Sequence, residues 1–256
     1  MADTTTPAHD TASRWRLLFL VVPAIDARVG WGRRRRVMGD AEIAADLAML
    51  NRVPAAIEAW SEGNVRVERA KAVVADGPLR RLARVGGGWW ADPDVLAPLL
   101  EPHLRGPGGW DSAVVLYPAD GTPELSPAWG YTWGEVASLG GIGVSSIASG
   151  DWPRWPSITD PEHGFVHEWL HQVEAVYRRL GIDEDDLPGL HDVADRRTTR
   201  ADAPDRTASY VEFERRTGSW RPWYRDLMTG TVGPKAGETP RVRGLTQERW
   251  LRRPNP

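Results

Sequence analysis

Residues 160 to 181 read DPEHGFVHEWLHQVEAVYRRLG, and their spacing dictates a helix. Asp160-Pro161 is a cap followed by proline in the first turn, where no amide hydrogen is missed, and Gly181 is a suitable stop. Between them lie roughly five turns at about 3.6 residues per turn. Successive residues rotate by about 100°, which gathers Phe165, Val166, Trp169, Leu170, Val173, Val176, Tyr177 and Leu180 in one broad apolar sector. His163, His167, His171 and Glu174 fall almost opposite.

The polar side is where chemistry can reside. His167 and His171 stand one turn apart, away from the sector in which a structural histidine would pack. Two imidazoles at that spacing reach a common ion about 2.0–2.1 Å from each nitrogen. Glu168 projects sideways, where it can hold a water bound to the same ion. The chain has no cysteine, so disulfides and thiolate sites are excluded, and a metal must be held by His, Asp or Glu. A solvent-facing helix side decorated with polar residues is the competing reading.

HEWLH on a helix that follows a mixture of strands and helices resembles the zincin superfamily of zinc metallopeptidases. The likeness is specific over about residues 160–181 and architectural over 16–150. It implies Zn2+ as cofactor, His167 and His171 as ligands, and Glu168 as general base. In such chemistry zinc lowers the pKa of its water toward neutrality and the glutamate carries the proton to the leaving amine. The resemblance also makes the glycine-flanked strand GGIGVSSIASG the edge strand that holds extended substrate. The metzincin signature fails, because Glu174 and Tyr177 stand where that subclass has glycine and a third histidine.

Catalytic zinc usually takes three protein ligands and a water. His191, in GLHDV beyond the Gly181 stop, is the expected third ligand, with Asp192 and Asp195 as competitors. Glu174 lies seven residues after His167, about 10 Å along the axis, and is better placed to orient an imidazole than to bind. His163 is a helix-start residue. Tyr210 and Tyr224 are candidates to donate to a developing oxyanion, or ordinary packed aromatics. Met228 is either a methionine beneath the metal or core.

The rest of the chain supplies the frame. RLLFLVVPA reads as a central strand, better than as the core of a signal peptide, NVRVERAKAVV as a half-buried strand, and SAVVLYP and GGIGVSSIASG as further strands. Helical spacing runs from Asp40 to Trp60 with Pro54 forcing a kink or a restart, and DPDVLAPLLEPHL opens as a capped helix. YVEFERRTGSWRPWYRDLMTG is helical in pieces and QERWLRRPNP is a tail. The expected class is α+β, a zincin-like twisted mixed sheet with helices. Residues 1–13 form a polar, disordered tail, 14–181 a catalytic part ending in the motif helix, and 182–256 a C-terminal part with the third-ligand loop. ADRRTTRADAPDRTAS, within it, is a flexible loop.

Net charge of -3 argues against a nucleic-acid binder held by bulk charge, and the run Arg33 to Arg36 reads as a solvated loop. No stretch is long enough to span a bilayer, so no membrane partner is expected; the apolar run before Asp26 and Arg28 is too short for a convincing signal peptide, so a cytoplasmic location is favoured over secretion. Four of the fourteen tryptophans, Trp129, Trp133, Trp152 and Trp155, flank the presumed edge strand and either wall a pocket or pack as core. The function expected is a zinc-dependent peptidase or amidase acting on a peptide or a small amide or ester. The alternatives are a zincin-fold enzyme working on a small metabolite, and a non-catalytic binding protein with a structural ion or none.

Overall fold

The apolar run around Leu18 becomes the interior of a five-stranded sheet. In the computed structural model, which describes residues 11–105, 108–118, 130–149, 159–194, 210–233 and 241–253, β1 (Ser13–Val21) pairs in parallel with β4 (Val65–Val74) on one side and β8 (Ser112–Pro118) on the other. β10 (Ile142–Ser149) continues the parallel set beside β8, and β9 (Gly130–Val136) closes the sheet antiparallel to β10. β1, β8 and β10 have neighbours on both sides, which is why they read as continuous apolar runs.

Two layers cover this sheet. Leu17, Phe19 and Val21 of β1 face a layer built from α1 (Asp40–Leu50), α2 (Val53–Trp60), α4 (His163–Arg179) and α6 (Arg221–Thr229). Leu18 and Leu20 face the opposite layer, formed by β2 (Ala24–Val29), β5 (Leu79–Arg81) and α3 (Pro93–Leu104). The period-two alternation of a strand thus divides one apolar run between two cores. β2 also pairs with β3 (Gly32–Val37), and a small hairpin joins β6 (Ala83–Val85) to β7 (Gly88–Trp90). The class is α+β with a mixed sheet. Pro54 marks a restart rather than a kink: α1 ends at Leu50, and proline occupies the first turn of α2, where a missing amide costs nothing.

Four expectations are corrected. Arg33 to Arg36 are not a loop but strand β3, held in register because Asp26 of β2 accepts from Arg33 and Arg35 across the ladder. GGIGVSSIASG supplies an interior strand, Ile142–Ser149, since β9 covers its other side, and among the described residues the sheet ends on that side at Gly130–Val136. QERWLRRPNP is not a free tail. Its Gln247–Trp250 forms α7, Trp250 is fully buried against Trp15 and Trp169, and Arg253 donates to Arg14 O and pairs with Asp111. The strand β1 likewise begins at Ser13, one residue inside the expected N-terminal tail. Trp223, Tyr224 and Trp250 share a core with Trp15 and Phe165, so residues beyond 182 complete the same interior.

Candidate metal centre

The helix α4 begins at His163, with Asp160 O accepting the His163 amide, and ends before Gly181, whose φ of 84° needs no β-carbon. Its apolar sector lies against the sheet, where Phe165, Val166, Trp169, Leu170, Val173 and Tyr177 are buried. A polar row on the same helix is also enclosed. Gln172 donates to Ala113 O (3.2 Å) and Ser145 Oγ (2.7 Å) and accepts from Ser112 Oγ (2.5 Å). These bonds satisfy a buried amide and fix the helix over β8 and β10 at one azimuth. The azimuth turns His167, Glu168 and His171 toward β9 and the C-terminal segments.

There they line a cavity of about 850 Å³ with Gly130, Tyr131 and Thr132 of β9 on one wall and Trp220, Trp223, Tyr224 and Leu190 on another. His167 Nε2 and His171 Nε2 lie 3.1 Å apart. His191 joins them from the short 3-10 turn Leu190–Ala194, its ring centroid 4.9 Å from that of His171 and 5.4 Å from that of His167. One ligand atom of each of the three lies within 4.8 Å of the other two. Nitrogens at about 2.0–2.1 Å from a tetrahedral ion are about 3.3 Å apart, so the pair on the helix already has metal-ligand spacing and His191 closes with a small movement. Three close histidines here can hold a metal ion.

The other ring nitrogens decide which atoms point inward. His167 Nδ1 is 3.1 Å from Tyr224 Oη, and Tyr224 is fixed by stacking on Trp60 at 6.0 Å. His171 Nδ1 stands 3.6 Å from Glu174 Oε2, which can only accept. Glu174 sets the His171 hydrogen on Nδ1 and turns that ring's Nε2 lone pair toward His167; in the His167 tautomer whose Nδ1 donates to Tyr224 Oη, two Nε2 lone pairs face each other across 3.1 Å. That arrangement is repulsive without a cation between them and suited to one with it. Glu174 also reaches the Leu190 amide (3.5 Å), and Trp223 Nε1 donates to Leu190 O (3.2 Å). The turn that carries His191 is therefore tied both to the helix and to α6.

Electrostatics agree with this geometry. Burial, followed by the neighbouring His171, His191 and His163, holds His167 well below the usual imidazole range. Burial and His171 lower His191 as well. Both are thus neutral near pH 7, the form that binds metal. Burial raises the Glu168 carboxyl, partly offset by the Thr132 hydroxyl, which donates to Oε2 at 2.7 Å, and by His171. A cation at the nitrogens opposes that shift. Burial also works against the Glu174 carboxylate, but His171 and Arg178 outweigh it and its pKa is lowered. Tyr224 is pushed well above the ordinary phenol value by burial and by Glu168, so it is a neutral phenol.

Of the residues singled out in the sequence, His167, Glu168, His171, His191 and Tyr224 are brought together. Tyr210 is not, because α5 (Tyr210–Thr217) directs its hydroxyl to Asp226 Oδ2 at 2.7 Å, away from the cavity. Asp192 caps the Gly189 amide (3.0 Å) instead of joining the histidines, and Asp195 lies outside the described residues. Glu174 sits beside His171 as an orienting group. His163 is fully buried with Nδ1 3.2 Å from Asp160 O, away from the cavity lining. Met228 is core, its carbonyl accepting from Asn64 and Trp250. Trp129, Trp152 and Trp155 lie outside the described residues, and Trp133 packs on Tyr131 without lining the cavity, whose indoles are Trp220 and Trp223.

Thr132, Gly130 and Trp223 escaped the sequence reading. GYTWGEV alternates too weakly for a strand, and its signal is the pair of glycines, small enough to let α4 approach. Comparison with protein-family models, curated proteins and solved structures finds no match for this chain.

Proposed function

We propose that this chain is a zinc-dependent hydrolase of the HExxH type, acting on a peptide or amide bond. The observation that carries the reading is the convergence of His167, His171 and His191 beside the Glu168 carboxyl in one open cavity. Zinc bound there supplies a Lewis acid and an acidified water. With zinc held there, Glu168 would be placed to accept a proton from a water at the site and to hand it to a leaving amine. Thr132 holds one Glu168 oxygen, Tyr224 orients the His167 ring and Glu174 orients the His171 ring. Among the described residues β9 ends its sheet, and Gly130, Tyr131 and Thr132 line the cavity, so an extended substrate can add there as a further strand, which supports an amide or peptide over a compact metabolite.

Metal analysis of the purified chain beside His167→Ala and His191→Ala tests the site, and a panel of peptides, acyl amides and esters tests the reaction. Stoichiometric zinc lost in both variants, with peptide hydrolysis abolished in Glu168→Gln while zinc is retained, is the expected result. Zinc retained in His191→Ala moves the third ligand elsewhere, and undiminished hydrolysis in Glu168→Gln removes the mechanism.

A further inference from the structure

The hairpin of β2 and β3 projects from the layer opposite α4, remote in the fold from the cavity. Its turn is Val29-Gly30-Trp31-Gly32, where Gly30 has a φ of 59° that an ordinary side chain would strain. Trp31 at the apex is 100% exposed. An indole is rarely left wholly in water, because burying an aromatic of this size is strongly favourable.

Behind the apex the outer face of the hairpin is basic. Arg33 and Arg35 of β3 stand on the same face as Asp26 and Arg28 of β2, and Arg81 of β5 pairs beside Arg28. Arg80 reaches in to Asp26 as well. Three guanidiniums, of Arg33, Arg35 and Arg80, thus share the one Asp26 carboxylate, and Arg28 and Arg81 stand beside them, in a chain whose net charge is -3. Val37, 74% exposed, extends the outer face of β3. Among the described residues β3 is also an open edge of its sheet, but antiparallel pairing with a second copy would set four arginines against four, which disfavours self-association.

We infer that this hairpin is a docking surface for an anionic phospholipid membrane, with Trp31 entering the headgroup level and the arginine face meeting lipid phosphates. The charge complementarity calls for an anionic partner, and the placement of the aromatic selects the lipid. A single-stranded nucleic acid stacks its bases on rings that lie among the basic groups of a face. Here the ring stands off the end of the strands, where a flat interface meets it first, as tryptophan does at membrane boundaries. No helix among the described residues is long and apolar enough to cross a membrane, and the proposed contact is made by the hairpin alone.

Co-sedimentation of the full chain with vesicles tests this, using phosphatidylcholine alone and equal parts phosphatidylcholine and phosphatidylserine. The expected result is binding to the mixed vesicles only, weakened by added salt. Trp31→Ser weakens it roughly tenfold, and Arg33→Gln about fivefold. Trp31 is wholly exposed, so thermal melting of Trp31→Ser stays unchanged and its loss of binding is not a loss of fold; Arg33→Gln also gives up the pair with Asp26, so its binding is measured well below its own melting temperature. Equal binding to both vesicles, no binding to the mixed ones, or full binding by Trp31→Ser overturns the inference. Binding of a single-stranded oligonucleotide that Trp31→Ser abolishes, with none to vesicles, overturns it in favour of nucleic acid. None of these outcomes depends on the metal centre.

Discussion

Gly130 and Glu168 occupy one space: a β-carbon at position 130 would stand 2.7 Å from Glu168 Cδ and 2.8 Å from Oε1. The edge strand and the motif glutamate are thus in contact only because residue 130 has no side chain. Gly130→Ala should displace the carboxyl by a few tenths of an ångström or more while leaving the three histidines in place. Hydrolysis is expected to fall roughly a hundredfold with metal content unchanged. Parallel activity and metal assays check this, and a loss of metal instead would show that residue 130 supports the histidines.

Glu174 is expected to act on the metal through His171. Glu174→Gln keeps the shape but removes the charge that faces Nδ1. Metal affinity should weaken by roughly 10–100-fold, read by competition with a chelating dye. The variant also loosens the Leu190 amide contact, so Asp192→Asn, which perturbs the same turn without facing His171, serves as the control.

His163 gives the fold a pH dependence whose sign follows from its burial. Burial, set against the Asp160 carbonyl, lowers its pKa to about 4 from an unfolded value of 6.5. Between those two values the unfolded chain binds the additional proton, so stability falls as pH drops from about 6.5 to about 4 and this contribution is constant outside that window. The full effect is about 3 kcal/mol. Urea unfolding of wild type and His163→Gln across that window should show the wild type losing more stability on acidification.

Trp250 anchors the C-terminal segment. It is fully buried, donates from Nε1 to Met228 O at 2.8 Å, and stacks on Trp169 of the motif helix. Trp250→Ala should cost about 3–5 kcal/mol, measurable by chemical denaturation. Deletion of residues 247–256 should destabilise to a similar degree, where a free tail would be removed without effect.

What the sequence determined was local. The 3.6-residue repeat of 160–181 placed His167, Glu168 and His171 on one helix, because that periodicity needs no partner to be legible. Apolar runs likewise announced β1, β8 and β10, which are buried on both faces. Other features depend on contacts between distant segments. His191 lies twenty positions beyond His171 and reaches it only because Trp223 and Glu174 hold its turn. Tyr224 rather than Tyr210 meets the site because α6 turns one hydroxyl to His167 while α5 gives the other to Asp226. The edge strand is β9 because the free side of β10 takes an antiparallel neighbour, a choice of pairing that no side-chain pattern in GYTWGEV records. Hydrogen bonding between strands and the convergence of side chains are long-range terms, and only the folded chain evaluates them.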